Sequence, residues 1–416
     1  MAAWQKQGDQ ENRRSRLIRL VVVALSTVAA ILATVGVDRI AGVVVTDPLR
    51  TSGLIFHPHS TATYRTPEFT FTASTNALGF RDHEFTQGRS PACRVLAIGD
   101  SFTFGWGVSL EESWPKVLET TLKHDGVGVE VANLGFPGGS PLDYANIAAR
   151  AVPELRPDLV LIGVLQGDDL EQLRSVAAPD DGWRRKVSKA LHRVEDTLYP
   201  HLTMLAGLVD ESLHHRANAL SVNTTWKEQA QAGLASLSPA EKARYRRIDA
   251  GIRRAFEAGD LNPALIVSAV RHPEYFLATF ELDRPETQRL IREMSDQLGR
   301  IRRAAESERA RAAVASVPFG IYVSPWMFDT WRTRYGFELD PRMLTSNSPD
   351  EAIRLAADGA RLPVHMVTPA FRAWSGAPIY FELDGHPNAA GHRLYAQQLA
   401  PAVAATLRAL PPPCRS

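Results

Sequence analysis

The chain has 416 residues, enough for one large domain or two ordinary ones. Its 44% hydrophobic and 22% charged residues argue against disorder, and a net charge of +1 lacks the basic surface that a nucleic-acid or polyacidic partner requires. No P-loop, no G-x-G-x-x-G after a strand and no zinc-ligand spacing occurs, so neither a cofactor nor a metal is expected.

The first informative element is at the N-terminus. Arg13, Arg14, Arg16 and Arg19 precede an uncharged run that starts at Leu20 and ends at Val37. That length suits one helix across a thin hydrocarbon core. Few basic residues follow, so the positive-inside rule predicts residues 1–19 in the cytoplasm and the rest outside. No clear A-x-A site follows the run. An uncleaved single-pass anchor is therefore expected in preference to a cleaved signal peptide.

Residues 38–92 read as a membrane-proximal segment with short β-type runs such as Thr70-Phe71-Thr72. Residues 95–99 read as a short buried strand, followed by a helix over 113–123, a strand over 127–134 and a helix over 142–152. The fully apolar run 159–165 suits a strand buried on both faces. Strands alternating with helices predict an α/β domain over 93–416, a parallel sheet with helices on both faces. The alternation stops at about 181, and an Arg-rich stretch without strand-like runs predicts a helical insertion to about 284. A helix over 285–309, strands over 312–317 and 362–367, and a helix after Pro387 complete the domain. Pro401 is expected to bend or break that last helix.

The two cysteines, Cys93 and Cys414, cannot form a paired C-x-x-C metal site. In an oxidising compartment they form one disulfide closing the domain ends; otherwise they are two unrelated thiols.

The chemistry-bearing residues lie at two distant places. Gly99-Asp100-Ser101-Phe102 follows the first buried strand, which sets Ser101 at the carboxyl edge where open α/β sheets build their sites. On its own this is equally a helix-capping serine. Asp384-Gly385-His386 supplies what a serine nucleophile needs: an imidazole to take its proton and a carboxylate to orient that imidazole. Trp106 and Trp114 read as packing residues rather than a sugar platform.

Taken together, these motifs resemble the SGNH (GDSL) hydrolases. Gly99-Asp100-Ser101-Phe102 is similar to the family's first block, and Asn133-Leu134-Gly135-Phe136-Pro137-Gly138 to its second. Asp384-Gly385-His386, with Asn388 and Gly391-His392, resembles the last block of membrane-anchored bacterial members. Residues 75–81 also resemble those members. The likeness covers about 75–170 and 310–408 and leaves the insertion unexplained. It implies a flavodoxin-like three-layer α/β/α fold and a serine esterase. In that scheme Ser101 is the nucleophile, His386 the base and Asp384 its partner, with the Ser101 and Gly138 N–H groups in the oxyanion hole.

One block departs. The family places an asparagine after the third strand as an oxyanion donor, but here the sequence is Gln166-Gly167-Asp168-Asp169, with Asp168 at that position. An ionised carboxylate cannot donate, and one lost donor costs about 3–4 kcal/mol of transition-state stabilisation. Either Gln166 supplies the amide, or Asp168 is held protonated, or activity is weak. Asp169 is expected to cap or orient this loop.

The expected function is an extracytoplasmic esterase acting on an acylated envelope glycan or lipid at the bacterial inner membrane. Two alternatives share the fold: an O-acetyltransferase with a membrane acyl-transfer or envelope-biosynthesis partner, and a non-catalytic envelope assembly or binding protein.

Overall fold

The computed structural model describes residues 56–175 (except 87–89 and 91), 223–410 and Cys414, together with the N-terminal helix Val21–Ile40 (except 24 and 28). The expected cytoplasmic residues 1–19, part of the membrane-proximal segment and residues 181–222 of the insertion lie outside the described residues.

The helix Val21–Ile40 is long and apolar enough for a membrane span or a signal sequence. Val22, Leu25, Leu32 and Ile40 are all exposed.

The second body opens with an antiparallel hairpin, β1 (Thr61–Arg65) and β2 (Thr70–Ser74), in register from Thr61↔Ser74 to Arg65↔Thr70. Alternation puts Ala62, Tyr64, Phe71 and Ala73 on one buried face. That face packs against Phe104, with Phe56, Trp106 and Phe381 at its margin. The segment that reads as membrane-proximal thus contributes a hairpin whose apolar face rests on the residues following Ser101.

The main sheet contains β3 (Cys93–Gly99), β4 (Val129–Gly135), β5 (Leu159–Leu165), β6 (Arg311–Val317) and β7 (Val364–His365), in the order β4-β3-β5-β6-β7, all parallel. Every residue of β3 and β5 is buried, as a strand covered by helices on both sides must be. Trp114–His124 packs with Ala389–Arg408 in one helical layer. Pro285–Ser307 packs between Pro141–Leu155 and Ser348–Ala360 in the other. The result is a three-layer α/β/α domain. The chain passes from β3 to β4 on one side and back to β5 on the other, so the sheet's switch point lies between the carboxyl ends of β3 and β5.

The free edge of β4 is blocked by side chains. Glu119 accepts the Val131 N–H at 2.9 Å, Asp82 accepts the Asn133 N–H at 2.7 Å, and Lys116 donates to the Val131 carbonyl at 2.7 Å. An edge whose outward backbone groups are taken cannot recruit another strand.

The described part of the insertion is five helices, from Asn223–Ala235 to Tyr275–Phe280, with no strand among the described residues. Two expectations need correction. The last strand is the short β7 rather than 362–367. The final helix runs from Ala389 to Arg408 straight through Pro401. Pro401 is exposed, as is Gln397 one turn before it, so the carbonyl that the proline leaves without an N–H belongs to a residue on the solvent side of the helix.

Cys93 and Cys414 form a disulfide with a Cα–Cα distance of 4.8 Å, tying the start of β3 to the end of the chain.

Candidate active site

Ser101 begins a single helical turn, Ser101–Phe104, directly after β3. Asp100 caps that turn, accepting the Phe102 N–H at 2.9 Å. The Ser101 side chain is half-buried. Its Oγ lies 2.7 Å from His386 Nε2. His386 Nδ1 lies 2.5 Å from Asp384 Oδ1, which also accepts the His386 backbone N–H at 3.3 Å. Residues 285 positions apart in sequence are thus hydrogen-bonded in the order hydroxyl, imidazole, carboxylate.

Gly385 makes this short spacing feasible. Its φ is +85°, and a Cβ there would sit 2.7 Å from the Trp331 ring. Only glycine meets both conditions, so Asp384 and His386 can turn toward each other across it. The imidazole is flanked by Phe102 and Trp106, with ring centroids at 4.9 Å and 6.1 Å. Burial pulls the His386 pKa down, but Asp384, Asp100 and Asp168 outweigh it and leave the pKa above the ordinary imidazole value.

The Ser101 and Gly138 N–H groups have no acceptor among the described residues. Gly138 has φ +75°, with open space where a side chain would stand. Asp168 follows β5. Its Oδ1 accepts from the Tyr275 hydroxyl at 2.9 Å and its Oδ2 from Gln172 Nε2 at 2.7 Å. Asp169 is fully buried and does orient this loop, accepting the Leu165 N–H and the Tyr144 hydroxyl, both at 2.8 Å. One carboxylate oxygen each of Asp100, Asp168 and Asp169 lies within 4.8 Å of the others. Burial, then mutual repulsion, pushes Asp100 up to about 7. Burial likewise raises Asp168 and, more strongly, Asp169. Three carboxyls this close retain protons that an isolated carboxyl would lose.

The expectation that Gln166 offers its amide to an oxyanion is corrected. The side chain is fully buried; its Nε2 donates to Asp350 at 2.7 Å and Thr368 at 2.8 Å, and its Oε1 accepts the Phe319 N–H at 3.3 Å. Both amide hydrogens are consumed in a polar knot beside β6. Asn388 and His392, part of the sequence resemblance, serve structure. Asn388 caps the final helix. His392 accepts the Trp114 N–H at 3.2 Å, and burial lowers its pKa to about 3. Trp114 is buried, whereas Trp106 is half-buried and stacks on Trp226 of the insertion at 6.0 Å.

Sequence reasoning missed several residues near the site. Arg81 is buried and donates to the Phe104, Gly105 and Val108 carbonyls at 2.7–2.8 Å, bracing the turn after Ser101. It lies in the stretch 75–81 singled out from sequence, though without a role. Tyr275 and Trp226 come from the insertion, where no motif marked them. A cavity of about 370 Å³, lined by Asp82, Glu84, Lys116 and Glu130 among others, holds none of the residues named for catalysis.

No family model matches the chain, and no curated protein does. Among solved structures it is similar to the psychrotrophic esterase EstA from Pseudoalteromonas sp., at 11% identity and TM-score 0.35, over 76% of this chain and 98% of that one. It is similar to a lipase/acylhydrolase from Enterococcus faecalis, at 14% identity and TM-score 0.35, over 75% and 95%. It is also similar to the acetyl xylan esterase AlAXEase, at 11% identity and TM-score 0.34, over 74% and 99%.

Proposed function

We propose that the chain is an SGNH-type serine esterase, working outside the cytoplasmic membrane on an acylated envelope glycan or lipid. The single observation that carries the reading is the unbroken hydrogen-bonded series Ser101–His386–Asp384 at the carboxyl edge of a parallel sheet. His386 takes the Ser101 proton as Oγ attacks the ester carbonyl. Asp384 holds the imidazole in the tautomer with Nε2 free to accept, and stabilises the imidazolium that forms. The Ser101 and Gly138 N–H groups receive the oxyanion. Asp168 completes the hole only in its protonated form, which burial favours and the hydrogen bonds from Tyr275 and Gln172 oppose. His386 returns its proton to the leaving alcohol. Water then attacks the acyl-enzyme with His386 again as base.

Two observations support the location. The helix Val21–Ile40 has the length and composition of an anchor. A buried disulfide is characteristic of proteins in oxidising compartments.

The test uses the full chain in detergent with a generic acetyl ester. Ser101→Ala is expected to abolish acetate release and labelling by a fluorophosphonate. Turnover that survives this change would remove Ser101 from the chemistry. Adding an oligosaccharide acceptor then distinguishes transfer from plain hydrolysis.

A further inference from the structure

The loop carrying Asp384 and His386 is held from outside the sheet domain's own elements. Glu68 sits at the tip of the β1–β2 hairpin. A single oxygen of its carboxylate accepts two consecutive backbone N–H groups, those of Leu383 at 2.9 Å and Asp384 at 2.8 Å. The tip is rigid. Thr66 N–H donates to the Phe69 carbonyl at 2.9 Å, Thr66 Oγ1 accepts the Glu68 and Phe69 N–H groups at 3.2 Å, and Pro67 fixes the backbone between them. Phe69 packs on Phe381, at the other end of the same loop, with ring centroids 4.7 Å apart. From the opposite side the Tyr335 hydroxyl donates to the Leu383 carbonyl at 2.6 Å. The loop is thus clamped at both N–H and carbonyl, and the anionic clamp belongs to the hairpin.

We propose that Glu68 is a positioning residue for the proposed esterase, fixing the Asp384 backbone so that its carboxylate stays in line with His386 Nδ1. The hairpin that reads as membrane-proximal is then a working part of the active site. Glu68 was marked by no motif and touches none of the reacting atoms. A carboxylate–imidazole contact at 2.5 Å tolerates little drift, and the Asp384 side chain is carried by the peptide unit that Glu68 holds. Glu68 is half-buried, and burial raises its pKa. His386 faces Asp384 on its own loop, Asp100 after β3 and Asp168 after β5. The charged groups near the Glu68 end of the loop are Asp384, Glu382 and Arg334, the last two 3.7 Å apart.

The inference rests on the esterase reading, so its test includes a measurement that needs no turnover. In the full chain, Glu68→Ala, Glu68→Gln and Glu68→Asp are compared by steady-state kinetics and by NMR titration of the His386 imidazole. Glu68→Ala is expected to lower kcat about 100-fold with KM nearly unchanged. It should also move the His386 titration down toward the ordinary imidazole value, because the Asp384 contact loosens. Glu68→Gln keeps an oxygen able to accept both N–H groups and is expected to restore both readouts. Wild-type values in Glu68→Ala, or equal losses in Ala and Gln, overturn the clamp. If the alanine variant does not fold, the other two decide. Asp keeps the charge but is one methylene short, and falls while Gln holds; the reverse order overturns the proposal. If His386 shifts as described while the wild type hydrolyses no ester, the clamp stands and the esterase reading fails.

Discussion

Tyr275 donates its hydroxyl to Asp168 at 2.9 Å, so a residue of the helical insertion completes the loop that follows β5. Trp226 makes a second link, stacking on Trp106 beside His386. The insertion therefore reaches the candidate site at two points, one polar and one aromatic. Its sequence shows neither, because a tyrosine and a tryptophan in a helical stretch carry no motif.

Replacing Asp168 by Asn separates the accounts of the oxyanion hole. If Asp168 works as a protonated donor, the variant is neutral at every pH and keeps an N–H to offer. Its turnover is then expected to match wild type where Asp168 is protonated and to exceed it by roughly tenfold at the higher pH where wild type loses that proton. A pH series of kcat on one acetyl ester reads this directly. Turnover that falls equally at all pH values would count against Asp168 as a donor. Tyr275→Phe removes a hydrogen bond that favours the ionised form, so it should extend the wild-type activity toward higher pH.

On the acid limb set by His386, activity and stability should respond to pH in opposite senses. The base must be neutral to accept a proton, and its pKa stands above 6.5. Turnover should thus rise with pH through a midpoint above that of free imidazole. The Asp100 carboxyl is raised from 3.8 to about 7, so the folded protein holds a proton that the unfolded chain has lost in that interval. Its contribution to stability is present below pH 3.8 and is lost as pH rises to about 7. Urea midpoints at pH 5 and pH 7.5 should show the loss, and Asp168→Asn should reduce it by removing one of the repelling charges.

The Cys93–Cys414 bridge closes a loop of 321 residues. A cross-link of that span restricts the unfolded chain strongly, and the Cys93→Ser, Cys414→Ser double variant is expected to lose about 3–5 kcal/mol. Denaturant unfolding of the two proteins under non-reducing conditions measures the difference. Equal midpoints would mean that the bridge adds no stability.

The sheet was legible wherever burial on both faces leaves an unbroken apolar run. The run 159–165 coincides with β5, and 312–317 differs from β6 by one residue. β7 was overread because 362–367 is mostly apolar while only Val364 and His365 reach a partner strand. Ser101 and Asp384-Gly385-His386 were legible because their chemistry is compressed into short segments. Gln166 was misassigned because sequence places an amide near the site without giving its direction, and the carboxylate of Asp350, 184 positions away, captures it. Glu68 was invisible for the same reason, since its partners are backbone groups 315 and 316 positions distant.

The disulfide also changes what a cut in the chain does. Between Cys93 and Cys414 the polypeptide is a covalent ring, with the N-terminal residues, including the anchor-like helix and the Glu68 hairpin, as its tail. A protease that nicks the ring once releases nothing: both pieces migrate as one molecule until a reductant is added. A nick between the helix and the hairpin instead frees a ring that still carries Glu68, Ser101, Asp384 and His386 together.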